Sequence, residues 1–436
     1  MTRSDSSTVH DVVGVGCGPF NLGLAALASG VDDLDVVVLD DKPEFTWHRG
    51  LMFDDAMLQV SFLADLTSLV APTHPLSFLS YLHDRDRMYQ FYVREQFHPT
   101  RREYEDYLRW AAARLPQVRF SHRVTSAEWS PAEEAFTVVA ERGDGSAVTL
   151  RARHLALGIG TAPTIPEALA GLPESKLTHT GEYLNRGEAA AAAGKVTVVG
   201  SGQSGAEVML DLLRRGASGG PAASWLTRTA SFAPLDYSKL VLEMTTPSYV
   251  DYFHGLPEET RDRLVAEQWR HYKGISTETL DEIHDALYQR QFDRDAAKAE
   301  LRCGVAVESS RVEPDGRVLL TCRHRDTGTL FQHRTDLVVA ATGYTQRTPE
   351  FLSPIDKSIP RDGRGRFRVR RDHSVETDET IGGRLFVANA DLHSHGVAAP
   401  DLGIGAVRNA AILNAVAGRE VYRLPRRTAF TDFDAG

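Results

Sequence analysis

The sequence predicts an α/β fold in which two Rossmann-like domains carry a small helical region. A β-branched apolar run that breaks into glycines and resumes as helix-forming residues occurs at residues 11–25, "DVVGVGCGPFNLGLA". The same pattern returns at residues 196–207, "VTVVGSGQSGAE". Residues 241–300 are rich in charged, helix-favouring sequence. With 436 residues, the chain is too long for one ordinary core, so these three parts predict more than one domain.

The first βαβ unit occupies the start of the chain. A strand leads into a glycine turn, the helix "NLGLAALASG" follows, and the second strand is "DVVVLD". Gly14 permits the tight turn, and Gly16 lets a pyrophosphate approach the backbone at the positive end of the helix. Pro19 stands where the G-x-G-x-x-G fingerprint has its third glycine. Asp40 ends the second strand, where a carboxylate accepts hydrogen bonds from ribose hydroxyls, which favours FAD or NAD.

The second βαβ unit begins at residue 196 and has the complete fingerprint, Gly200, Gly202 and Gly205. Its second strand ends at "WLTRT", which places Arg228 where the first unit has its acid. A guanidinium pairs with the 2′-phosphate of NADPH, whereas a carboxylate would repel it. A solvated surface arginine is the alternative interpretation. The two turns together predict a flavin site and a site for the reductant that feeds it.

The order of the patterns divides the chain into three parts. A glycine- and proline-rich strand at 154–166 ends the first unit, and the strand pattern "TDLVVAATGY" at 335–344 precedes a C-terminal segment that must complete an earlier sheet. The predicted FAD-binding domain comprises residues 1–165 plus 335–436. The predicted NADPH-binding domain comprises residues 166–240 plus 301–334, and the helical substrate-binding region comprises residues 241–300.

Composition excludes several classes of protein. The net charge of −10 disfavours nucleic acid and anionic membranes as partners. No apolar run approaches the roughly 20 residues that span a bilayer, and the polar start "MTRSDSSTVH" has no signal-peptide core, so we expect a cytoplasmic protein. Cys17, Cys303 and Cys322 have no C-x-x-C spacing, which argues against a zinc site, a disulfide framework or a dithiol centre. We expect all three to be buried small hydrophobic residues, and we expect no metal.

Other enzymes with two dinucleotide sites fit the sequence poorly. Disulfide reductases need a redox-active cysteine pair, which the spacing of the cysteines does not provide. Amine oxidases reoxidise their flavin with oxygen and need no second nucleotide domain. Baeyer-Villiger oxygenases carry F-x-G-x-x-x-H-x-x-x-W between their nucleotide folds, and "THTGEYLN" does not match it.

The sequence resembles the N-hydroxylating flavin monooxygenases of siderophore biosynthesis, which hydroxylate the terminal amine of lysine, ornithine or a diamine. The resemblance covers nearly the whole chain, and Pro19 in the first fingerprint is usual in this family. The matching segments, in chain order, are "GVGCGPFNLGLA", "EFTWHRGLMFDDAMLQVSFLADL", "PLSFLSYLH", "REQFHPTRREYEDYLRW", "GSGQSGAE", "ATGY" and "HSHGVAAPDLGIGAVRNAAILN".

This resemblance implies a three-step chemistry with FAD and NADPH. NADPH reduces FAD, NADP⁺ stays bound while oxygen forms a hydroperoxide at flavin C4a, and a neutral amine attacks its distal oxygen. The protein must exclude water and hold the amine in line. A free amine has a reference pKa of about 10.4, so activity should rise with pH above neutral. Relatives often form tetramers, and we expect a homo-oligomer, a tetramer or a dimer.

The resemblance also assigns roles to single residues. Gln59 matches a glutamine that hydrogen-bonds near the flavin, and Arg101 matches an arginine close to flavin and nicotinamide; both are predicted catalytic residues. Gly403 occupies a position that the family usually gives to serine, in a C-terminal loop that faces the flavin. The remaining residues expected to contact a cofactor are Trp47, His48, Gln203, Ser204, Thr342, Gly343 and His395.

Three departures from the family pattern predict the substrate. Amino-acid hydroxylases have a lysine that pairs with the substrate carboxylate where this chain has Ala64. They have asparagines where it has Leu242 and, in the best alignment, His271. Burying an unpaired carboxylate there would cost several kcal/mol. The predicted substrate is therefore a diamine, cadaverine or putrescine. Its far ammonium group would be held by water, by backbone carbonyls or by an acid such as Asp401.

Three alternatives remain open from the sequence. One is an L-lysine N6- or L-ornithine N5-monooxygenase, with the carboxylate bound by another basic residue. The second is an uncoupled NADPH oxidase-type flavoprotein that releases hydrogen peroxide. The third, a catalytically silent flavin-binding scaffold, is disfavoured by Gln59, Arg101 and the complete second fingerprint.

Overall fold

The computed structural model describes residues 8–217 and 219–434. The first domain is built on a mixed sheet. Its strand order is β17-β18-β6-β1-β2-β3, and β1 pairs in parallel with both β2 and β6. The β4–β5 hairpin extends the sheet through β5, which pairs antiparallel with β6. The strands are β1 (Val9–Val15), β2 (Val36–Leu39), β3 (Val118–Arg119), β4 (His122–Ser130), β5 (Ala135–Arg142), β6 (Ala147–Leu157), β17 (Ser374–Val375) and β18 (Leu385–Val387).

Helices cover this sheet and supply much of its core. The side chain of Thr100 caps α4 by accepting a hydrogen bond from the Glu103 N–H, and Tyr104, Tyr107 and Leu108 of this helix are buried at helical spacing. Helix α1 packs against α14, which brings the glycine turn next to the C-terminal segment. The helices are α1 (Pro19–Ala28), α2 (Phe78–Asp84), α3 (Met88–Arg94), α4 (Arg101–Ala112), α13 (Leu392–His395) and α14 (Gly405–Ala417).

The second domain has a five-stranded parallel sheet in the order β11-β10-β9-β15-β8. A three-stranded antiparallel sheet, β12-β13-β14, lies beside it. The strands are β8 (Leu177–His179), β9 (Lys195–Val199), β10 (Ala222–Leu226), β11 (Ala299–Arg302), β12 (Val305–Val312), β13 (Val318–His324), β14 (Leu330–Thr335) and β15 (Leu337–Ala340). The helices are α5 (Glu167–Ala170), α6 (Gly187–Ala192) and α7 (Gln203–Gly216). Both Rossmann-like domains of the predicted fold are therefore present.

The second boundary of the predicted division needs correction. The first domain was predicted to resume at residue 335, but the fully buried β15 lies between β9 and β8 of the second sheet. The chain returns to the first domain only after residue 340, and β17 and β18 then complete the first sheet as expected. The two crossings lie side by side, because β7 (Ala162–Pro163) pairs antiparallel with β16 (Tyr344–Thr345).

The predicted helical region is helical but serves both domains. Helices α9 and α10 pack against α13 of the first domain, whereas α12 packs against α7 of the second. Its C-terminal limit also overlaps β11, the edge strand of the second sheet. The helices are α8 (Lys239–Leu242), α9 (Pro247–Gly255), α10 (Glu258–Glu267), α11 (Arg270–Lys273) and α12 (Thr277–Gln289).

Two expectations from composition can be compared with the described residues. Within 8–217 and 219–434, no helix has the length and apolar character that a membrane span requires. The three cysteines are free; Cys17 and Cys322 are buried, but Cys303 is only half-buried, unlike the prediction. The expectation that the polar start is no signal peptide falls mainly on residues 1–7, which lie outside the described residues.

Candidate functional site

The first glycine turn lies between the ends of β1 and β6. Gly16 has a φ of +85°, and a Cβ there would come within 2.6 Å of the Gly158 carbonyl oxygen. Asn21 holds the turn by donating to the Gly16 carbonyl at 2.8 Å, and Pro19 begins α1 as its first residue. The turn therefore presents backbone with no side chain at the N-terminus of α1, which is the cradle that a pyrophosphate requires.

Asp40 follows β2 beside this turn and is buried. Its carboxylate accepts hydrogen bonds from the backbone N–H groups of Cys17 at 2.5 Å and Lys42 at 2.9 Å. Burial raises the pKa of this carboxyl group. Asp40 thus lies where the fingerprint predicts it; its contact with a ribose stays a prediction.

The predicted flavin-side residues lie in the segment after β2. Trp47 packs against Tyr104 with ring centroids 5.7 Å apart, and His48 has a left-handed backbone with a φ of +50°. The side-chain nitrogen of Gln59 is buried and has no hydrogen-bond partner among the described residues. An unpaired buried amide donor is costly, so an acceptor from a bound molecule would satisfy it. The structure therefore fits the predicted role of Gln59 beside a flavin.

Arg101 begins α4 and reaches across to the second domain. Its Nη1 and Nη2 donate to Oε2 and Oε1 of Glu207 at 2.9 and 2.7 Å. Glu207 lies on α7, one turn after the second glycine fingerprint. The structure therefore places Arg101 at the junction of the two domains; its contact with flavin and nicotinamide stays a prediction.

The second glycine turn is formed like the first. Gly200 has a φ of +121°, and a Cβ there would overlap the carbonyl oxygen of Ala341. Trp225 donates from Nε1 to the Gly200 carbonyl at 2.6 Å, which closes the turn. Gly202 precedes α7, so the free N–H groups at the start of this helix face the turn.

Three predicted cofactor residues around this turn make contacts within the protein. The Gln203 amide is occupied on both sides: Oε1 accepts from the Ser276 N–H at 2.8 Å, and Nε2 donates to Glu207 at 2.9 Å. Its backbone N–H at the start of α7 is therefore the group that it offers to a coenzyme, and the predicted contact stays a prediction. Ser204 accepts a hydrogen bond from Thr180 at 3.2 Å, and Thr342 donates to the carbonyl of Thr164.

Gly343 lies next to Thr342 in the crossing between the domains. It has a φ of +80°, and its carbonyl oxygen lies 3.0 Å from Nε2 of His179, at the end of β8. The "ATGY" segment is thus fixed by contacts with both crossings and with the second sheet. Its contact with a cofactor stays a prediction.

A cationic pair lies beside the second turn. Arg228 is exposed just after β10, as the sequence predicts, and Lys273 ends α11 with its carbonyl oxygen near Gly202. Partial burial and the neighbouring Arg228 charge lower the pKa of the Lys273 ammonium group. Two cations that approach one another favour an anion between them. Sequence reasoning did not identify Lys273, because no fingerprint links the helical region to this turn.

The C-terminal loop differs from the prediction at His395. Its imidazole stacks on His373 with centroids 4.2 Å apart; Nδ1 lies 2.9 Å from the Ser394 hydroxyl, and Nε2 lies 3.4 Å from the Arg371 carbonyl. Burial lowers the pKa of His395 well below its usual range, so the ring is neutral. With both nitrogens engaged inside the protein, the His395 side chain does not offer a cofactor contact.

The predicted substrate residues fall into two groups. Ala64 is buried, and its carbonyl accepts a hydrogen bond from Tyr104 at 2.8 Å. Burial raises the pKa of the same Tyr104, and the charges of Asp65 and Asp401 add to that rise. Leu242 ends α8, and His271 lies on α11 with a buried, unpaired Nδ1.

Gly403 and Asp401 are linked in the loop before α14. The Gly403 N–H donates to Oδ1 of Asp401 at 2.6 Å, and a Cβ at Gly403 would lie 2.9 Å from that oxygen. The family's serine would therefore crowd the Asp401 carboxylate. Because its N–H is already bonded, the predicted cofactor contact of Gly403 is not supported at this atom.

Known proteins are similar to this chain over nearly its whole length. The sequence model of the L-lysine 6-monooxygenase/L-ornithine 5-monooxygenase family matches residues 8–346. A putrescine N-hydroxylase of Shewanella oneidensis is 38% identical over 98% of this chain and 84% of its own length. The rhizobactin siderophore biosynthesis protein RhbE of Rhizobium meliloti is 40% identical over 98% of this chain and 95% of its own. The crystal structure of the FAD-bound cadaverine monooxygenase DfoA of Erwinia amylovora is 37% identical, covers 99% of both chains and has a TM-score of 0.94.

Proposed function

The chain belongs to the L-lysine 6-monooxygenase/L-ornithine 5-monooxygenase family, and we propose that it N-hydroxylates one terminal amine of a diamine, cadaverine or putrescine. It is an FAD- and NADPH-dependent flavin N-hydroxylating monooxygenase of siderophore biosynthesis. Relatives that act on diamines and relatives that act on amino acids both lie in this family, so the substrate must be argued from the site.

The observation that carries the diamine proposal is the buried methyl group of Ala64. Ala64 stands where the amino-acid hydroxylases have a lysine, and it offers no positive charge to a carboxylate. Leu242 supplies no hydrogen bond at the second position. A substrate carboxylate placed at either position would find no partner in that side chain, at a cost of several kcal/mol if it were buried there unpaired. A diamine carries no carboxylate and avoids this cost.

Asp401 supports the same proposal, because its carboxylate carries the charge that attracts an ammonium group. Its carboxyl group is partly enclosed and accepts a hydrogen bond from the Gly403 N–H. Burial raises its pKa, and the charge of the buried Arg408, whose ion-pair partner is Asp391, opposes that rise. Within the described residues no cation forms a direct ion pair with Asp401, and such a carboxylate favours binding of an ammonium group. We assign the far ammonium of the diamine to Asp401, and Gly403 leaves the space that this carboxylate occupies.

The residues present fit both cofactors. The Gly16 turn and the unpaired Gln59 amide fit FAD, and the Gly200 turn with Arg228 and Lys273 fits NADPH. When bound, flavin reduced by NADPH supplies the activation of oxygen. The chain's own task is to hold the amine in its neutral form and to keep water away from it. Since a free amine has a pKa of about 10.4, hydroxylation should increase as pH rises above neutral.

The test is hydroxylamine formation with lysine, ornithine, cadaverine and putrescine. We expect kcat/KM for a diamine to exceed that for either amino acid by at least about tenfold, or roughly 1.4 kcal/mol. Asp401→Asn should raise KM for the diamine with little change in FAD content. A preference for lysine or ornithine would overturn the proposal. NADPH consumption with peroxide and no hydroxylamine from any amine would instead indicate the uncoupled oxidase.

We further propose a cytoplasmic homo-oligomer. No residue of α3 is buried. Tyr89, Tyr92 and Val93 of this helix are 81%, 73% and 72% exposed, and Phe97, which follows the helix, is 63% exposed. An apolar helix face of this kind is stable when a partner covers it. A second copy of the chain, related by two-fold symmetry, would cover this face with the same face of its own.

A further inference from the structure

Two ion pairs connect α7 of the second domain to the first domain. The Arg101–Glu207 pair is bidentate, and its side chains are 16% and 8% exposed. The Asp55–Arg214 pair, with a separation of 2.5 Å, lies further along the same helix with about half of each side chain exposed. Only the first pair is sheltered from water, so only that pair holds a guanidinium in one fixed geometry.

Glu207 is the centre of a longer chain of hydrogen bonds. Its carboxylate accepts from both terminal nitrogens of Arg101 and from the Gln203 amide. Gln203 in turn accepts from the Ser276 N–H and donates to Thr279 at 3.1 Å, at the start of α12. This chain therefore joins the helical region, the helix after the coenzyme turn and the first residue of α4.

We propose that Glu207 is a positioning residue, which fixes the Arg101 guanidinium at the junction of the flavin and coenzyme domains. The contact of Arg101 with a cofactor rests on the proposed function, whereas its ion pair with Glu207 does not. Arginine has a long side chain with many rotamers, and a buried bidentate partner removes that freedom before the coenzyme arrives. Because Gln203 directly follows the glycine turn, a coenzyme seated there contacts the same helix that orients Arg101.

The decisive experiment is a double-mutant cycle with Glu207→Gln and Arg101→Lys. In stopped-flow experiments at saturating NADPH, we expect Glu207→Gln to slow flavin reduction by at least about tenfold, with unchanged FAD content. If Glu207 acts through Arg101, the double variant should reduce its flavin no more slowly than Arg101→Lys alone. Multiplied losses in the double variant would overturn the proposal.

Asp55→Asn is the matched control, since it breaks the exposed ion pair on the same helix and leaves Arg101 untouched. We expect its reduction rate to stay within about twofold of the wild type. If Asp55→Asn slows reduction as much as Glu207→Gln does, domain docking in general is responsible, and Glu207 has no special role. Glu207→Asp, which retains the charge, should give an intermediate rate; a rate no better than that of Glu207→Gln would also contradict the proposal.

A second readout does not depend on turnover. In the purified protein, without added NADPH, thermal unfolding of the four members of the cycle should show that the two substitutions are coupled, because Glu207→Gln removes the charge of the ion pair and Arg101→Lys removes its bidentate geometry. Additive changes in the melting temperature would contradict the pairing. If wild-type protein reduces its flavin but makes no hydroxylamine, the proposed function fails, while both cycles still test Glu207.

Discussion

At the scale of single residues, the proposed substrate preference rests on side chains that are short or apolar where the family pattern has a polar group. Ala64 stands in place of a lysine, and Leu242 in place of an asparagine. Gly403 stands in place of a serine, and a Cβ there would lie 2.9 Å from the Asp401 carboxylate. Of the three changes, the third therefore has a direct structural link to an acid.

Arg228→Ala should weaken NADPH binding far more than NADH binding. The guanidinium is exposed beside the second turn, and a lost charge-assisted contact costs about 1 to 3 kcal/mol, or roughly fivefold to 150-fold in affinity. Titration of each coenzyme measures the effect. Arg214→Ala, an exposed arginine on α7, serves as control and should leave the NADPH preference unchanged. Equal losses for both coenzymes would show that Arg228 has another role.

Gln59→Ala should leave FAD bound and flavin reduction nearly unchanged, and should raise the fraction of NADPH that ends as hydrogen peroxide. Its side-chain nitrogen is buried without a partner, so removing it costs the folded chain no internal hydrogen bond. Peroxide and hydroxylamine are measured in the same reaction. Collapse of reduction with normal coupling would contradict the role assigned to Gln59.

At the scale of elements, the docking of α9 onto the C-terminal segment brings four histidines together. His254 of α9 lies with its ring centroid 5.2 Å from that of His395, and His395 stacks on His373. His393 lies 2.7 Å from the carbonyl oxygen of Phe367. Burial lowers the pKa of all four, so this joint between the helical region and the first domain is packed with neutral rings.

This cluster predicts a loss of stability in mild acid. Unfolded histidines take up protons below about pH 6.5, whereas the folded cluster resists them, so unfolding gains protons as the pH falls. The stabilisation is therefore complete above pH 6.5 and decreases below it. Thermal midpoints at pH 7.5, 6.5 and 5.5 should fall in that order.

Two variants separate the cluster from other titrating groups. His254→Asn removes one of the buried rings and should flatten the pH dependence of the midpoint. His98→Asn alters an exposed histidine and should not. A pH dependence that is the same in all three proteins would show that other groups cause it.

At the scale of the whole molecule, two crossings, one helical region and the ion pairs of α7 hold the domains together. The crossings pair as β7 and β16, α12 packs on α7, and α9 packs beside α13. Each Rossmann-like domain has its own sheet, so the site between them depends on these few contacts. The apolar face of α3 takes no part in this assembly and remains available to a second copy.

Tyr92→Glu should convert the oligomer into a smaller species, because it places a charge in the centre of the exposed face of α3. Light scattering coupled to size exclusion measures the mass. Phe430→Glu is the control: Phe430 is 91% exposed near the other end of the chain, and its substitution should leave the mass unchanged. A monomeric wild type, or an unchanged mass for Tyr92→Glu, would contradict the assignment of this face.

The sequence by itself determined the two Rossmann-like domains and the family, and it supplied the hypothesis of a diamine substrate. These features depend on local patterns. A glycine turn between strand and helix, or an alanine in place of a lysine, can be identified from the sequence around it. Fold and family are confirmed; the roles of single residues remain predictions.

Only the tertiary structure decided where distant segments meet. The short apolar strand at 337–340 fits either sheet, and pairing with β9 and β8 assigned it to the second. The Arg101–Glu207 pair joins residues 106 positions apart, and His395 is enclosed by residues from three segments. A sequence pattern records how a residue suits its own helix or strand. Which partner reaches it depends on strand order and domain docking, whose free energy is spread over the whole chain.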